Sequence, residues 1–122
     1  MLQGDFFSIS SIEITGFAVK ATLVINVGHT IFGGHFPDQP VVPGVCMMQM
    51  IKEILEQVLE KKTNLVKASE MKFLTIINPQ ETTSIKASVH YSFAEDGTIT
   101  IAASLFNEGL TYFKFKGAFL GA

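Results

Sequence analysis

One stretch of this chain has the apolar spacing of an amphipathic helix, whereas the other apolar stretches have the pattern of strands. From Val45 to about Lys62, apolar residues recur three or four positions apart with polar residues between them. A lone helix must bury its apolar side against strands, because no second helix is available to pack on it. The pattern therefore predicts an α+β domain in which a curved antiparallel sheet wraps around one central helix.

Strand candidates lie on both sides of this helix. Residues 11–27 are rich in β-branched side chains and are broken by Gly16, which is typical of a strand pair or of one long bent strand. After the helix come four more candidates, and Asp-Gly and Glu-Gly turn signals separate the last three. In one of these, His90 alternates with apolar residues, so we expect it to face solvent. The four candidates are residues 66–77, 83–93, 98–106 and 110–120.

The composition narrows the class of protein. A length of 122 residues predicts a single domain spanning residues 1–122. Hydrophobic residues make up 48% of the chain and charged residues 16%, which favours a homo-oligomer that buries apolar surface between subunits. The net charge is −2 and all nine basic residues are lysine, so we expect no nucleic-acid partner. No segment approaches the roughly 18 apolar residues of a membrane helix.

The cysteine and histidine residues argue against a metal or a disulfide framework. Cys46 is the single cysteine, and we interpret it as a small core residue of the helix. The histidines at positions 29, 35 and 90 do not have zinc-site spacing, so we expect no metal and no other cofactor. The first residues lack the basic start of a secretory signal. Together these features predict a cytoplasmic protein.

The segment that leads into the helix is heavily constrained. Residues 33–53 read GGHFPDQPVVPGVCMMQMIKE and contain three of the four prolines. Each proline fixes its own φ and disfavours helix at the residue before it, so we predict a stiff extended segment over residues 35–43, within a loop over residues 28–44. This rigid segment either positions His35 against Gln49 and Glu53 for chemistry or only makes a corner.

The motif IFGGHFPDQPVVPGV, residues 31–45, closely resembles the signature of the 3-hydroxyacyl-acyl carrier protein dehydratases of the hot-dog fold. The shared pattern is Gly-His-Phe, spaced prolines, Pro-Gly and then a helix. Lys72-Phe73 with Pro79 repeats the spacing of a second family segment, so the resemblance covers about residues 26–53 and 71–79. It implies a hot-dog domain that removes water from a 3-hydroxyacyl thioester, carried on acyl carrier protein or coenzyme A, in fatty acid or related lipid or polyene biosynthesis.

The same resemblance implies roles for individual residues. His35 would take the proton from C2 of the substrate, a task that suits an imidazole with an ordinary pKa of about 6.5. The Gly44 amide, at the start of the helix, would donate to the thioester oxygen. Phe36, Pro43 and Val45 would line the acyl site. In family dimers the histidine of one chain faces the helix of the other, which implies active sites shared between two subunits.

The chain departs from the family at the acid. Fourteen residues after the histidine the family has a glutamate or aspartate, and a glutamine often follows one turn later; here Gln49 comes first and Glu53 follows, about 6 Å along the helix. Three interpretations remain open. Glu53 protonates the C3 hydroxyl directly or through a water; or His35 alone shuttles the proton while Gln49 orients the hydroxyl; or both residues belong to the polar face of a protein that has lost the reaction.

Two other functions are alternatives to dehydration. One is a hot-dog acyl thioesterase, which would activate water with a carboxylate on this helix, and the other is a non-catalytic partner subunit that binds acyl thioesters. The lysines at positions 61, 62 and 67 could meet an acidic carrier protein, although a solvated lysine cluster is more common. His29 either contacts substrate or caps a turn, and we favour the turn.

Overall fold

The computed structural model describes residues 1–34 and 41–121, and its main feature is a six-stranded antiparallel sheet with one long helix packed on it. The strands are β1 (Phe7–Thr15), β2 (Ala18–Ile25), β3 (Thr63–Phe73), β4 (Ser84–Phe93), β5 (Ile99–Asn107) and β6 (Leu110–Gly121), and the helices are α1 (Ile31–Gly34) and α2 (Gly44–Leu59). The strand order in the sheet is β1-β2-β4-β5-β6-β3. The predicted α+β arrangement is therefore confirmed.

One face of the sheet and the apolar side of α2 share a single core. In β4 the side chains of Ile85, Ala87 and Val89 are buried, whereas those of Lys86 and His90 between and beside them are exposed. This alternation is that of a strand with one face against the core. The predicted exposure of His90 is confirmed. The buried side chains of α2 in this core are those of Cys46, Met47, Met50, Ile51, Ile54 and Leu55.

The first two strands form a pair, which is one of the two arrangements that the sequence predicted for this region. Antiparallel pairing joins Phe7 to Ile25 at one end and Thr15 to Ala18 at the other. Gly16 lies in the connecting turn with a φ of 61°, a conformation that glycine adopts with little strain. The pair begins four residues before the predicted position 11, because Phe7 is already buried.

The helix α2 begins one residue before the predicted start and ends three residues before the predicted end. Pro43 precedes it in an extended conformation, with φ −62° and ψ 147°. Glu60 ends it in the left-handed region, with φ 56° and ψ 38°, so the helix cannot continue to Lys62. Among the described helices, none is long and apolar enough to cross a membrane.

A short helix occupies part of the predicted loop over residues 28–44. The loop prediction is wrong for Ile31–Gly34, because His29 Nδ1 accepts the Ile31 amide at 3.0 Å and the buried Phe32 anchors the turn. The bond from the Ile31 amide to His29 Nδ1 is the turn contact that we favoured. His29 Nε2 also donates to the Asp5 carboxylate at 3.0 Å. His35 and Phe36 lie outside the described residues, and the extended conformation stays a prediction there.

Candidate active site

Three candidate residues lie on one face of α2. Val45, Gln49 and Glu53 follow one another at intervals of four residues, so their side chains project from the same side of the helix. The face becomes more covered along its length: Val45 is 76% exposed, Gln49 is half-buried and Glu53 is only 2% exposed. Glu53 is therefore not part of a solvated polar stripe.

The N-terminal residues cover Glu53 and supply hydrogen bonds to it. The Leu2 amide donates to Glu53 Oε2 at 2.7 Å, and the Gln3 amide donates to Glu53 Oε1 at 2.8 Å. Gln49 Nε2 donates to the same Oε2 oxygen at 2.9 Å. A carboxylate has about four acceptor positions, so three of them are occupied. The structure thus joins Gln49 and Glu53 directly and ties both to the start of the chain.

A depression of about 220 Å³ lies beside this pair. Gln49 and Glu53 border it, and the charged side chains of Lys52, Glu56 and Lys62 line it as well. Glu56 is held in place, because its Oε2 accepts the Thr63 amide at 2.6 Å. The helix face that carries Gln49 is therefore accessible from one side and walled by the junction between α2 and β3.

The start of α2 offers backbone donors. The first amides that bond back to the Pro43 carbonyl are those of Cys46, at 3.0 Å, and Met47, at 3.2 Å. No side chain caps the helix, and within the described residues the Gly44 amide donates to no backbone carbonyl. The free N–H groups at the start of a helix produce a positive electrostatic potential, so they can stabilise an oxygen atom that gains negative charge.

Gly44 is packed tightly by an aromatic ring. A Cβ atom at this position would lie 2.7 Å from Cε1 of Phe73, which is closer than real Cβ contacts come. The Phe73 ring stacks on Phe113, with centroids 4.9 Å apart and planes at 28°, and is 52% exposed. Glycine at position 44 therefore lets β3 approach the start of the helix.

Cys46 has a structural environment. It is buried in the core, and this burial raises the pKa of its thiol above the usual value. A raised pKa keeps the thiol protonated and unreactive, which agrees with its interpretation as a core residue. Within the part of the chain that the structure describes, no group of three or more histidine, cysteine, aspartate or glutamate side chains is arranged to hold a metal ion.

Two features of the site have no clear signal in the sequence. The donors from Leu2 and Gln3 are backbone amides, which every residue except proline has, so nothing in the side chains marks them. The packing of Phe73 on Gly44 joins residues 29 positions apart. The Lys72-Phe73 segment points to the second only through its resemblance to family sequences.

Sequence comparison identifies a family for most of the chain. The model of the ApeI-like family, described as ApeI dehydratase, matches residues 11–114. A curated relative, the 3-hydroxyacyl-[acyl-carrier-protein] dehydratase FabZ of Rickettsia felis, is 26% identical in an alignment of 100 residues. That alignment covers 72% of this chain and 69% of the relative.

Solved structures with the same fold include a dehydratase. The dehydratase heterocomplex ApeI:P from Xenorhabdus doucetiae has a chain that aligns with a TM-score of 0.73 and 18% identity, over 92% of this chain and 96% of that one. Cj0977, a sigma28-regulated virulence protein from Campylobacter jejuni, aligns with a TM-score of 0.72 and 12% identity, over 99% of this chain and 88% of that one. The hot-dog fold is thereby confirmed. On the family match, the chain belongs to the ApeI-like dehydratase family, as its resemblance to 3-hydroxyacyl-acyl carrier protein dehydratases predicted.

Proposed function

We propose that this protein removes water from a 3-hydroxyacyl thioester carried on acyl carrier protein and forms the trans-2-enoyl thioester, in fatty acid or related lipid or polyene biosynthesis. Membership of a dehydratase family supports the reaction type. The observation that carries the proposal is the arrangement of helix α2, which has the Gly44 amide at its start and the hydrogen-bonded pair Gln49 and Glu53 on one face. Dehydration of a 3-hydroxyacyl thioester requires a hydrogen-bond donor for the thioester carbonyl and a polar group that holds the C3 hydroxyl.

The reaction requires three tasks of these residues. His35 takes the proton from C2, and the electron pair of that bond forms the C2=C3 double bond as the C3–O bond breaks. The Gly44 amide donates to the thioester oxygen while negative charge develops there. In this proposal the Gln49–Glu53 pair holds the C3 hydroxyl, which leaves as water once it has gained a proton. Phe36, Pro43 and Val45 line the acyl chain in this proposal.

A second copy of the chain completes the site in this proposal. Within the described residues, β3 is an edge strand that pairs only with β6, and it exposes apolar side chains that a single chain does not cover. An exposed apolar edge strand is unusual in a protein that remains monomeric. Val45, at the start of α2, is exposed as well. The exposed apolar residues of β3 and the segment after it are Leu65, Val66, Met71, Phe73, Leu74 and Ile76.

The test is the reverse reaction, hydration of a short trans-2-enoyl thioester, followed by loss of its conjugated absorbance. We expect turnover by the wild type and a loss of about 100-fold or more in His35→Ala, since general base catalysis typically contributes at least that factor. His90→Ala is the matched control, because His90 is exposed on β4 and has no role in the site. Equal rates for the wild type and His35→Ala would contradict the proposal.

A non-catalytic partner subunit is the second candidate, and one observation favours it. Gln49 stands where the family has its acid, and a carboxamide cannot give up a proton to a leaving hydroxide. The solved relative is a heterocomplex, so a subunit of such an assembly can be a partner of another chain. This candidate predicts thioester binding without turnover. Release of free thiol from an acyl-coenzyme A in the same assay would instead identify a thioesterase.

A further inference from the structure

The contact between Gln49 and Glu53 fixes which way the glutamine amide faces. A carboxylate has only acceptors, so the group of Gln49 that lies 2.9 Å from Glu53 Oε2 must be the NH₂ group. The amide oxygen Oε1 is then turned away from Glu53. Within the described residues, Oε1 accepts no hydrogen bond, and Gln49 borders the depression beside the helix.

Glu53 is itself held firmly. Its side chain is only 2% exposed, and the Leu2 and Gln3 amides donate to its two oxygens at 2.7 and 2.8 Å. A substrate hydroxyl has little access to a carboxylate that is covered in this way. The same contacts make it a rigid support for a neighbouring side chain.

We infer that Glu53 is a positioning residue, which holds the Gln49 carboxamide so that its Oε1 oxygen accepts a hydrogen bond from the C3 hydroxyl of the substrate. This inference rests on the dehydration proposed above and assigns the roles within that site. Gln49 aligns the hydroxyl but supplies no proton. His35, which carries the proton taken from C2, then returns it to the departing hydroxyl, so that water leaves and the histidine is restored.

Three variants separate this role from its alternatives. In Glu53→Gln, the new amide oxygen can take the place of Oε2 and accept from both Leu2 and Gln49, so that only the bond from Gln3 is lost. Glu53→Leu has a similar size but no acceptor at all. Gln3→Pro removes the Gln3 amide donor and leaves the bond between Gln49 and Glu53 intact.

The experiment measures steady-state hydration of the enoyl thioester together with the NMR signal of the Gln49 side-chain NH₂ group. We expect Glu53→Gln to keep kcat within about threefold of the wild type, because residue 53 still accepts from Gln49 Nε2 and the Gln49 Oε1 oxygen keeps its orientation. Glu53→Leu should lower kcat by about 10- to 100-fold and should shift the Gln49 signal and speed its exchange with water. Gln3→Pro should lower the melting temperature without changing kcat or the Gln49 signal.

Other results would overturn the inference. Loss of turnover in Glu53→Gln with an unchanged Gln49 signal would make Glu53 the acid itself. Parallel loss of kcat and of melting temperature in Glu53→Gln and Gln3→Pro would leave Glu53 only an anchor for the N-terminal residues. If the wild type turns over no thioester, the dehydration proposal fails by itself. The orientation of the Gln49 amide by Glu53 is then judged from NMR alone. A Gln49 signal that is the same in the wild type, in Glu53→Gln and in a folded Glu53→Leu protein would refute it.

Discussion

Gln49 and Glu53 are one helical turn apart, yet their environments differ far more than this spacing indicates. Gln49 is half-buried beside a depression, whereas Glu53 is covered by the N-terminal residues and accepts three hydrogen bonds. The helix pattern predicts that both side chains share one face, and this is confirmed. The burial of Glu53 depends on residues 50 and 51 positions away, so the helix pattern could not indicate it.

The variant Gln49→Glu tests how closely this pair is coupled. It would place two carboxyl groups about 3 Å apart, and repulsion between their negative charges would raise the pKa of one of them in the folded protein. In the unfolded chain both groups titrate at the ordinary glutamate pKa of about 4.3. A raised pKa in the folded state means that stability is present at low pH and is lost as the pH rises. Relative to the wild type, we expect the free energy of unfolding to fall by about 2 kcal/mol between pH 4 and pH 7, measured by urea denaturation.

The exchanged variant Gln49→Glu with Glu53→Gln is the control for this prediction. It holds one carboxyl group and one carboxamide, as the wild type does, so the difference in pH dependence should disappear. A single variant whose stability follows the wild type at every pH would show that the two side chains do not interact in solution.

At the scale of elements, the pairing of β3 with β6 depends on a close approach of their backbones. The register of this pair shifts between Leu65 and Lys67 and again between Ala68 and Glu70. Between the two shifts, Gly117 pairs with Ala68 and lies so close to β3 that a Cβ atom would overlap the Lys67 carbonyl oxygen and lie 2.6 Å from Cζ of Phe115. Strand patterns in the sequence predict both strands, but they do not predict such irregularities.

The variant Gly117→Ala should therefore destabilise the protein. Adding a methyl group where backbone and a buried ring already meet forces the strands apart, and overpacking of this kind typically costs about 1–3 kcal/mol. Gly121→Ala on the same strand is the matched control, because the three atoms nearest to a Cβ there belong to the flexible Lys61 side chain, at 3.3 Å or more. Denaturant unfolding of both variants gives the comparison. Equal stabilities would mean that β3 and β6 are farther apart in solution.

At the scale of the whole molecule, we propose that only one of the two edges of the sheet forms a subunit interface. β1 forms one edge and β3 the other, and the exposed apolar residues of β3 continue into the segment that follows it. The high apolar content of the chain predicts an oligomer, which stays a prediction. The edge at β3 is the surface that we propose a second copy covers.

Placing a charge on this edge should separate the subunits. Val66→Asp, at a β3 position that is 57% exposed, would bury an unpaired carboxylate in the proposed interface, so we expect a monomer without turnover. Ile14→Asp on β1, 52% exposed, is the matched control and should keep the size of the wild type. Size-exclusion chromatography with light scattering measures both. A wild type that is itself monomeric, or a Val66→Asp protein that remains oligomeric, would contradict the proposed interface.

The sequence by itself determined the type of fold, the approximate positions of α2 and the six strands, and the dehydratase family. These features depend on local periodicity and on a proline-glycine motif, which are properties of neighbouring residues. The tertiary structure alone decided that Glu53 is buried, that Gln49 faces it through its NH₂ group, and that Phe73 packs on Gly44. Glu53 and Gly44 each contact a distant part of the chain, and the two N-terminal donors to Glu53 are backbone amides, which have the same chemistry at every residue but proline. The direction of the Gln49 amide depends in turn on the Glu53 carboxylate.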